Sequence, residues 1–137
     1  MNKRVSIVIV NWNGEKYLHK CIKSLVEVDY DNMEIIIIDN GSSDNSVKII
    51  EDNFKDEVKL VKNKNEGYAG GANKGIHISS GEYVLIANPD IIFTEDYISK
   101  LVEKLEESEE NAAAIGKLLK YDFDKNEIIN VIDSAGI

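Results

Sequence analysis

The sequence predicts an α/β fold, a Rossmann-like and mostly parallel sheet layered between helices. Three observations carry this. Strand-like and helix-like segments alternate along the chain. Each strand segment is apolar throughout rather than at every second residue, the mark of a strand covered on both faces. Each is also followed by a polar, turn-rich break, the rhythm of strand–helix–strand units.

The elements follow in order. Val5 to Val10, "VSIVIV", is an almost uninterrupted β-branched run and forms the first strand. Tyr17, Leu18, Cys21, Ile22, Leu25 and Val26 then recur at helical spacing. "MEIIIID", Met33 to Asp39, is a second buried strand. The "GSSDNS" after it starts a helix, with Ser42 or Ser43 as cap and Asp44 at the positive end of the dipole. Val47, Ile50 and Phe54 give that helix its inner face, and Val58 to Val61 is a short third strand. "YAGGANKGIHISS" reads as a helix loosened by glycine, and Glu82 to Ala87 as the fourth strand. Thr94 is placed to cap a helix whose inner face is Ile98, Leu101, Val102 and Leu105, with "EKLEESEE" as its solvated side. Ala112 to Leu119 is expected to be one more strand, with irregular or hairpin structure from Lys120 onward.

Composition narrows the function classes. A chain of 137 residues builds one domain, expected over 1–137. Its net charge of −9 argues against a nucleic-acid surface and a polybasic membrane patch, both of which need Lys and Arg. Cys21, alone, forms no internal disulfide and reads as a small buried side chain of a reduced, cytoplasmic protein. "MNKRVSIVIV" has the charged start of a signal peptide, but its apolar run is short and "NWNG" follows where a cleavage region belongs. Nothing approaches the roughly 20 apolar residues of a transmembrane helix. His19 and His77 lie on predicted helices without metal-like partners and read as structural.

In parallel sheets ligands bind at the carboxyl ends of the strands. Here those ends read "NWNG" (Asn11–Gly14), "DNGSSD" (Asp39–Asp44), "KNKNEG" (Lys62–Gly67) and "NPD" (Asn88–Asp90). Turns favour Asn, Asp and Gly on their own account. Four such ends converging on one edge are harder to dismiss. The familiar phosphate loops are absent: "NWNGEKY" is not G-x-G-x-x-G, and "GYAGGANKG" has neither Rossmann nor P-loop spacing. In "NPD", Pro89 fixes its own φ and pushes Asn88 toward an extended conformation, so Asp90 is held in one place at the strand end.

The order "VSIVIVNWNG", "IIIIDNGSSD", "NEGYAGGANKGI", "GEYVLIANPD" resembles the inverting glycosyltransferases of family 2, with the GT-A fold, and within them the branch that includes rhamnosyltransferases of cell-surface polysaccharide synthesis. The four motifs stand in the family's order and cover about Val5 to Ile115. The resemblance implies transfer of a sugar from a nucleoside-diphosphate donor, UDP- or dTDP-linked, to a saccharide or lipid-linked acceptor with inversion. It is also compatible with peripheral membrane association of the full-length protein. "NPD" stands where the family carries D-x-D, so Asp90 is the expected ligand of Mg²⁺ or Mn²⁺ against the donor diphosphate, and Asn88, an amide in place of a carboxylate, the expected contact to ribose or sugar. A hard cation suits this site, because it takes carboxylate and phosphate oxygens together. By the same resemblance Val10, Asn11 and Trp12 lie along base and ribose, although Trp12 could instead be a half-buried packing residue. Asp39 and Asn40 match an Asp-Asp pair of which one side chain reads the pyrimidine edge. Asn65, Gly67, Gly71 and Asn73 match the loop and helix start that close over the nucleotide.

The family's catalytic base lies beyond the metal motif, in the half that also binds the acceptor. "VIDSAGI" stands about where that half begins, and Asp122, Asp124 and Asp133 fall outside the base motif, so none is nominated. The expectation is a chain cut before its acceptor half; a natural protein lacking that half is the other reading. Among rival classes, a response-regulator receiver needs an acidic pair where this chain has "NWNG". A sugar-phosphate nucleotidyltransferase needs a glycine-rich basic loop there. A non-catalytic nucleotide-sugar-binding module remains the alternative to an enzyme.

Overall fold

The predicted alternation is realised in order in the computed structural model, which describes residues 2–134. Strand β1 (Val5–Asn11) leads to helix α1 (Glu15–Val26), β2 (Met33–Asp39) to α2 (Ser46–Asn53), β3 (Val58–Lys62) to α3 (Gly67–Ile78), and β4 (Tyr83–Ala87) to α4 (Tyr97–Glu106). A pair of strands, β5 (Leu118–Asp122) and β6 (Glu127–Ser134), follows. The first four strands form one sheet in the order β3-β2-β1-β4 with every pairing parallel; β5 and β6 form a separate antiparallel hairpin.

The register explains why β1 and β2 read as continuous apolar runs. Ile7 stands beside Ile35 and Leu85, and Ile9 beside Ile37 and Ala87. These residues face Leu18, Cys21, Ile22 and Leu25 of α1, Ile50 of α2 and Ile98 of α4, which together make the larger core. The alternate residues Val8, Ile36 and Ile38 point the other way, toward Ile78 of α3. Both faces of the two central strands are therefore covered, and after Ser6 and Glu34 near their starts polar residues return only where the strands end. Helix α3 lies very close to the sheet. A Cβ on Gly75 would stand 2.2 Å from Val8 Cγ1, and one on Gly71 2.7 Å from Val10 Cγ1. The glycines that weaken α3 as a helix are what let its backbone rest on β1.

Three local expectations are corrected. The segment expected as a strand over 112–119 is irregular through Lys117, and the strand begins at Leu118. "AAAIG" is apolar but poor in β-branched residues, so it lacks strand preference of its own. Neither Ser42 nor Ser43 caps α2. The cap position is Asn45, and Asp44 Oδ1 accepts from Ser46 N at 2.9 Å. Thr94 does not cap α4 either: its hydroxyl donates to Asp96 Oδ1, and the helix begins at Tyr97. The hairpin is anchored at its turn, where Phe123 packs edge-on to Tyr17 and Lys20 Nζ donates to Phe123 O at 2.5 Å. No helix among the described residues is long and apolar enough to cross a membrane.

Candidate functional site

All four polar strand ends lie at one edge of the sheet, because the strands are parallel and in register. At that edge the register sets Asn11 directly beside Asp39. Both are buried, and Asn11 Nδ2 donates to Asp39 Oδ1 at 2.9 Å and to Ser42 Oγ at 3.1 Å. Ser42 in turn donates its hydroxyl to Asp39 Oδ1 at 2.6 Å and its amide to Oδ2 at 3.0 Å. The carboxylate has no ion-pair partner among the described residues and is held by these donors alone. Asn11 Oδ1 is the exception: it is buried and accepts from nothing among the described residues. A Cβ on Gly14 would stand 2.2 Å from it, so only glycine fits after Asn13. An orphaned amide oxygen costs about 1–3 kcal/mol and, at a strand end, is a place for a donor from water or ligand.

The first two loops are bonded together. Asn13 takes the left-handed conformation, φ 52°, and its Oδ1 accepts from Ser43 N at 2.8 Å while its own N–H donates to Ser42 Oγ at 2.9 Å. Glu15 N donates to Asp44 Oδ2 at 3.0 Å, Asn45 N donates to Glu15 Oε2 at 2.7 Å, and Gly14 N donates to Ser46 Oγ at 3.1 Å. Burial works to raise the Asp44 carboxyl, but hydrogen bonds from Ser46 and from the Glu15 amide outweigh it and hold it below its ordinary value. The second and third loops are joined through Asn40, which is buried; its Nδ2 donates to Gly67 O at 2.8 Å and its Oδ1 accepts from Asn63 Nδ2 at 3.1 Å.

The fourth strand end is seated on α1. Cys21 Sγ donates to Asn88 O at 3.8 Å, and Phe93 N donates to Ser24 Oγ at 3.0 Å. Burial pushes the Cys21 thiol up to about 12, so it is an inert support. Asp90 is exposed. Its charge reaches Tyr68 on the first turn of α3, whose phenol is raised first by burial and further by that carboxylate.

The predicted residues thus fall into two groups. Trp12, Asn65, Gly67, Asn73, Asn88 and Asp90 are exposed, whereas Val10, Asn11, Asp39, Asn40 and Gly71 are buried. Trp12 is 60% exposed, so most of its ring stands open at the end of β1. His19 packs tilted against Phe54, ring centroids 5.1 Å apart, and His77 is exposed. Asp122 accepts from the amides of Asp124 and Lys125 in its own turn, and Asp124 faces Lys16 at 3.7 Å. Sequence reading missed Asn13, Ser42, Asn63 and Tyr68 as parts of the site. Asn13 carried a signal, since Asn before Gly is a residue that tolerates positive φ. Ser42 also carried one, since an Asp three residues earlier is within reach of its amide and hydroxyl, whereas the partner of Asn63 at position 40 is set by the fold.

Asp90 fits one part of a divalent-cation site: an exposed carboxylate at a strand end behind a proline. Among the described residues no group of three or more His, Cys, Asp or Glu side chains could hold a metal ion, so the other ligands of a cation there would come from the bound molecule and water. A groove of about 620 Å³ between α4 and the segment 111–117 lies away from this edge, and the lysines that line it at 100 and 104 are paired with Asp96 and Glu107.

The sequence profile described as glycosyl transferase family 2 matches residues 6–134. Glycosyltransferase GlyG of Streptococcus pneumoniae serotype 4 is 34% identical over 128 residues, 89% of this chain and 41% of the relative. The chain therefore spans less than half of that curated relative. Among solved structures, the mannosyltransferase PcManGT from Pyrobaculum calidifontis, in complex with GDP-Man and Mn²⁺, superposes with a TM-score of 0.72 at 21% identity, covering 77% of this chain and 33% of that one. S. aureus TarS 1-349 in complex with UDP-GlcNAc gives 0.68 at 21% identity, covering 76% and 31%. These likenesses establish the fold as that of the GT-A neighbours, α/β with a parallel four-strand sheet between helices.

Proposed function

The chain belongs to glycosyl transferase family 2, and on that premise we propose that its strand-end crevice binds a nucleoside-diphosphate sugar, UDP- or dTDP-linked. The longer protein would transfer that sugar, with inversion, to a saccharide or lipid-linked acceptor in cell-surface polysaccharide synthesis, on the cytoplasmic side. The observation that carries the reading is the convergence of four polar strand ends on one edge, with Asp90 exposed at the fourth. Neighbours of the same fold solved with UDP-GlcNAc and with GDP-Man and Mn²⁺ support it.

The residues take distinct parts. Trp12, exposed at the end of β1, offers an aromatic face for the base, backed by Val10 and Asn11. Asp39 Oδ2 accepts a single hydrogen bond, so it has capacity for the N3–H of a pyrimidine. Asn65, Gly67, Gly71 and Asn73 form the third wall. Asn88 and Asp90 meet the sugar and diphosphate, and Asp90 would hold Mg²⁺ or Mn²⁺. A cation bound there supplies Lewis-acid stabilisation of the charge that develops on the departing nucleoside diphosphate. Asp122 and Asp124 are committed to the hairpin turn and to Lys16, and neither is assigned as base.

Calorimetric titration with UDP, dTDP, ADP and GDP in the presence of Mn²⁺ tests the reading. UDP and dTDP should bind about tenfold tighter than the purine nucleotides, the value of one buried hydrogen bond left unmade. Equal binding of all four would overturn the assignment of Asp39 to the base. Binding of none would overturn the nucleotide site itself.

A further inference from the structure

We propose that Asn40 is a positioning residue: a latch that holds the β3–α3 loop and the first turn of α3 against the end of β2, and so acts on a bound nucleotide through Gly67 and Asn65 rather than by touching the base. The proposal rests on the nucleotide-site reading above and assigns the two side chains of the Asp39–Asn40 pair to different tasks.

Both ends of the Asn40 amide are engaged inside the protein. Nδ2 donates to Gly67 O at 2.8 Å, and Oδ1 accepts from Asn63 Nδ2 at 3.1 Å. Asn63 is itself fixed, since its Oδ1 accepts from Lys74 Nζ at 2.8 Å and its Nδ2 also reaches Glu66 Oε2 at 3.4 Å. The chain of bonds thus runs from the end of β2 through the third loop to the second turn of α3. Helix α3 also closes over the amide. A Cβ on Gly71 would lie 3.1 Å from Asn40 Nδ2 and 3.2 Å from Oδ1. A base could reach this amide only if the loop and the helix moved away together.

The geometry also dictates which residue type works. Gly67, at φ 75°, turns its carbonyl onto the side chain of residue 40. A carboxylate there would set two acceptors against each other at hydrogen-bond distance, whereas an amide supplies the donor. The resemblance places Asp at this position in the family; here the carbonyl of Gly67 accounts for Asn.

The test is the pair Asn40→Asp and Asn63→Ala, titrated with UDP, dTDP, ADP and GDP plus Mn²⁺ near about pH 8 and about pH 5.5, each against the unsubstituted protein at the same pH. Backbone hydrogen exchange over residues 63–70 is followed in parallel. The introduced carboxyl, buried against a carbonyl, has its pKa raised, because burial disfavours the charged form. Ionised at the higher pH, it repels Gly67 O; protonated at the lower, it donates an O–H as the amide did. The latch therefore predicts that Asn40→Asp weakens all four nucleotides by the same factor, about tenfold, near pH 8. It further predicts that affinity returns near pH 5.5 and that exchange over 63–70 quickens only at the higher pH. Asn63→Ala should give the same uniform loss without recovery at low pH. A direct base contact predicts the opposite: changed selectivity among the nucleotides, no acid rescue and unchanged exchange, and that pattern would overturn the latch. Should the unsubstituted protein bind no nucleotide, the site reading fails. The latch then stands or falls on exchange alone, and unaltered exchange over 63–70 in Asn40→Asp overturns it.

Discussion

At both ends of the β1–β2 pair the register sets a polar side chain against a carboxylate: Ser6 against Glu34 where the strands begin, Asn11 against Asp39 where they finish. The first pair leaves no buried polar atom without a partner among the described residues. Glu34 Oε1 accepts from Ser6 Oγ at 2.5 Å, from Ser80 N at 2.7 Å and from Ser80 Oγ at 2.8 Å, and Arg4 stands 3.7 Å from Oε2. Ser6 Oγ, for its part, accepts from Gly81 N at 2.8 Å. The second pair is not saturated. Asn11 Oδ1 has no partner, Asp39 Oδ2 accepts one bond, and Trp12, Asn88 and Asp90 stand exposed around them. A cross-strand polar pair whose buried atoms all find partners in their own loops fastens the sheet. One that leaves buried capacity unused, beside exposed groups of the same chemistry, is set up for a ligand.

The largest separation between the two ends comes from removing Asp39. Asp39→Ala takes the acceptor from three donors in a buried site, and unfolding in urea should show a loss of about 3 kcal/mol. Pyrimidine preference should be lost with it. Retained stability with retained selectivity would mean that the two ends do not differ in the way described.

Glu34 sharpens the other side through pH. Burial works to raise its carboxyl, but the hydrogen bonds from Ser6 and Ser80, with Arg4, outweigh it and bring it down to about 2. A carboxyl lowered in the folded state contributes stability that is complete above the unfolded value near about 4.3 and is lost as pH falls through the folded one. The stability curve should therefore drop by on the order of 2 kcal/mol between about pH 4.5 and about pH 2. Glu34→Gln should remove most of that drop, and nucleotide affinity at neutral pH should not change. Altered affinity would show that the lower network communicates with the site.

The smallest expected effect on folding, and a sharp one on binding, is at Trp12. The ring is 60% exposed, so Trp12→Ala should leave unfolding free energy within about 0.5 kcal/mol of the parent. If the base stacks on it, nucleotide affinity should fall about tenfold, as stacking on an aromatic side chain is worth about 1–3 kcal/mol per base. Equal affinity would remove Trp12 from the site.

The contrast between the two ends also marks what the sequence makes legible. The strands were readable because β1 and β2 are buried on both faces and use β-branched residues almost throughout. The strand ends were readable because polarity returns abruptly where the two covering layers stop. The division of labour at those ends was not readable. Ser42 looks like a helix cap, yet it turns back onto Asp39 three residues earlier, and the fold brings Asn11 and Asn13 within its reach. Thr94 spends its hydroxyl on the Asp96 carboxylate instead of the helix end. Asn40 reads as an amide awaiting a ligand until its partners at positions 63 and 67 are seen. The apolarity of "AAAIG" suggests a strand, but Ile115 is its one β-branched residue and no described strand pairs with it.

The central claim is that the unsaturated end holds a nucleoside diphosphate through a cation at Asp90. Thermal unfolding with UDP, with and without Mn²⁺, addresses it most directly. At ligand about 100-fold above its dissociation constant the folded state gains about 2.7 kcal/mol, an upshift on the order of 10 °C for a domain of this size. The account predicts that shift with Mn²⁺ or Mg²⁺, little of it in EDTA, and none of the metal-dependent part in Asp90→Ala, whose ligand-free midpoint stays close to the parent's. A full shift in EDTA, or a metal-dependent shift undiminished in Asp90→Ala, would contradict it.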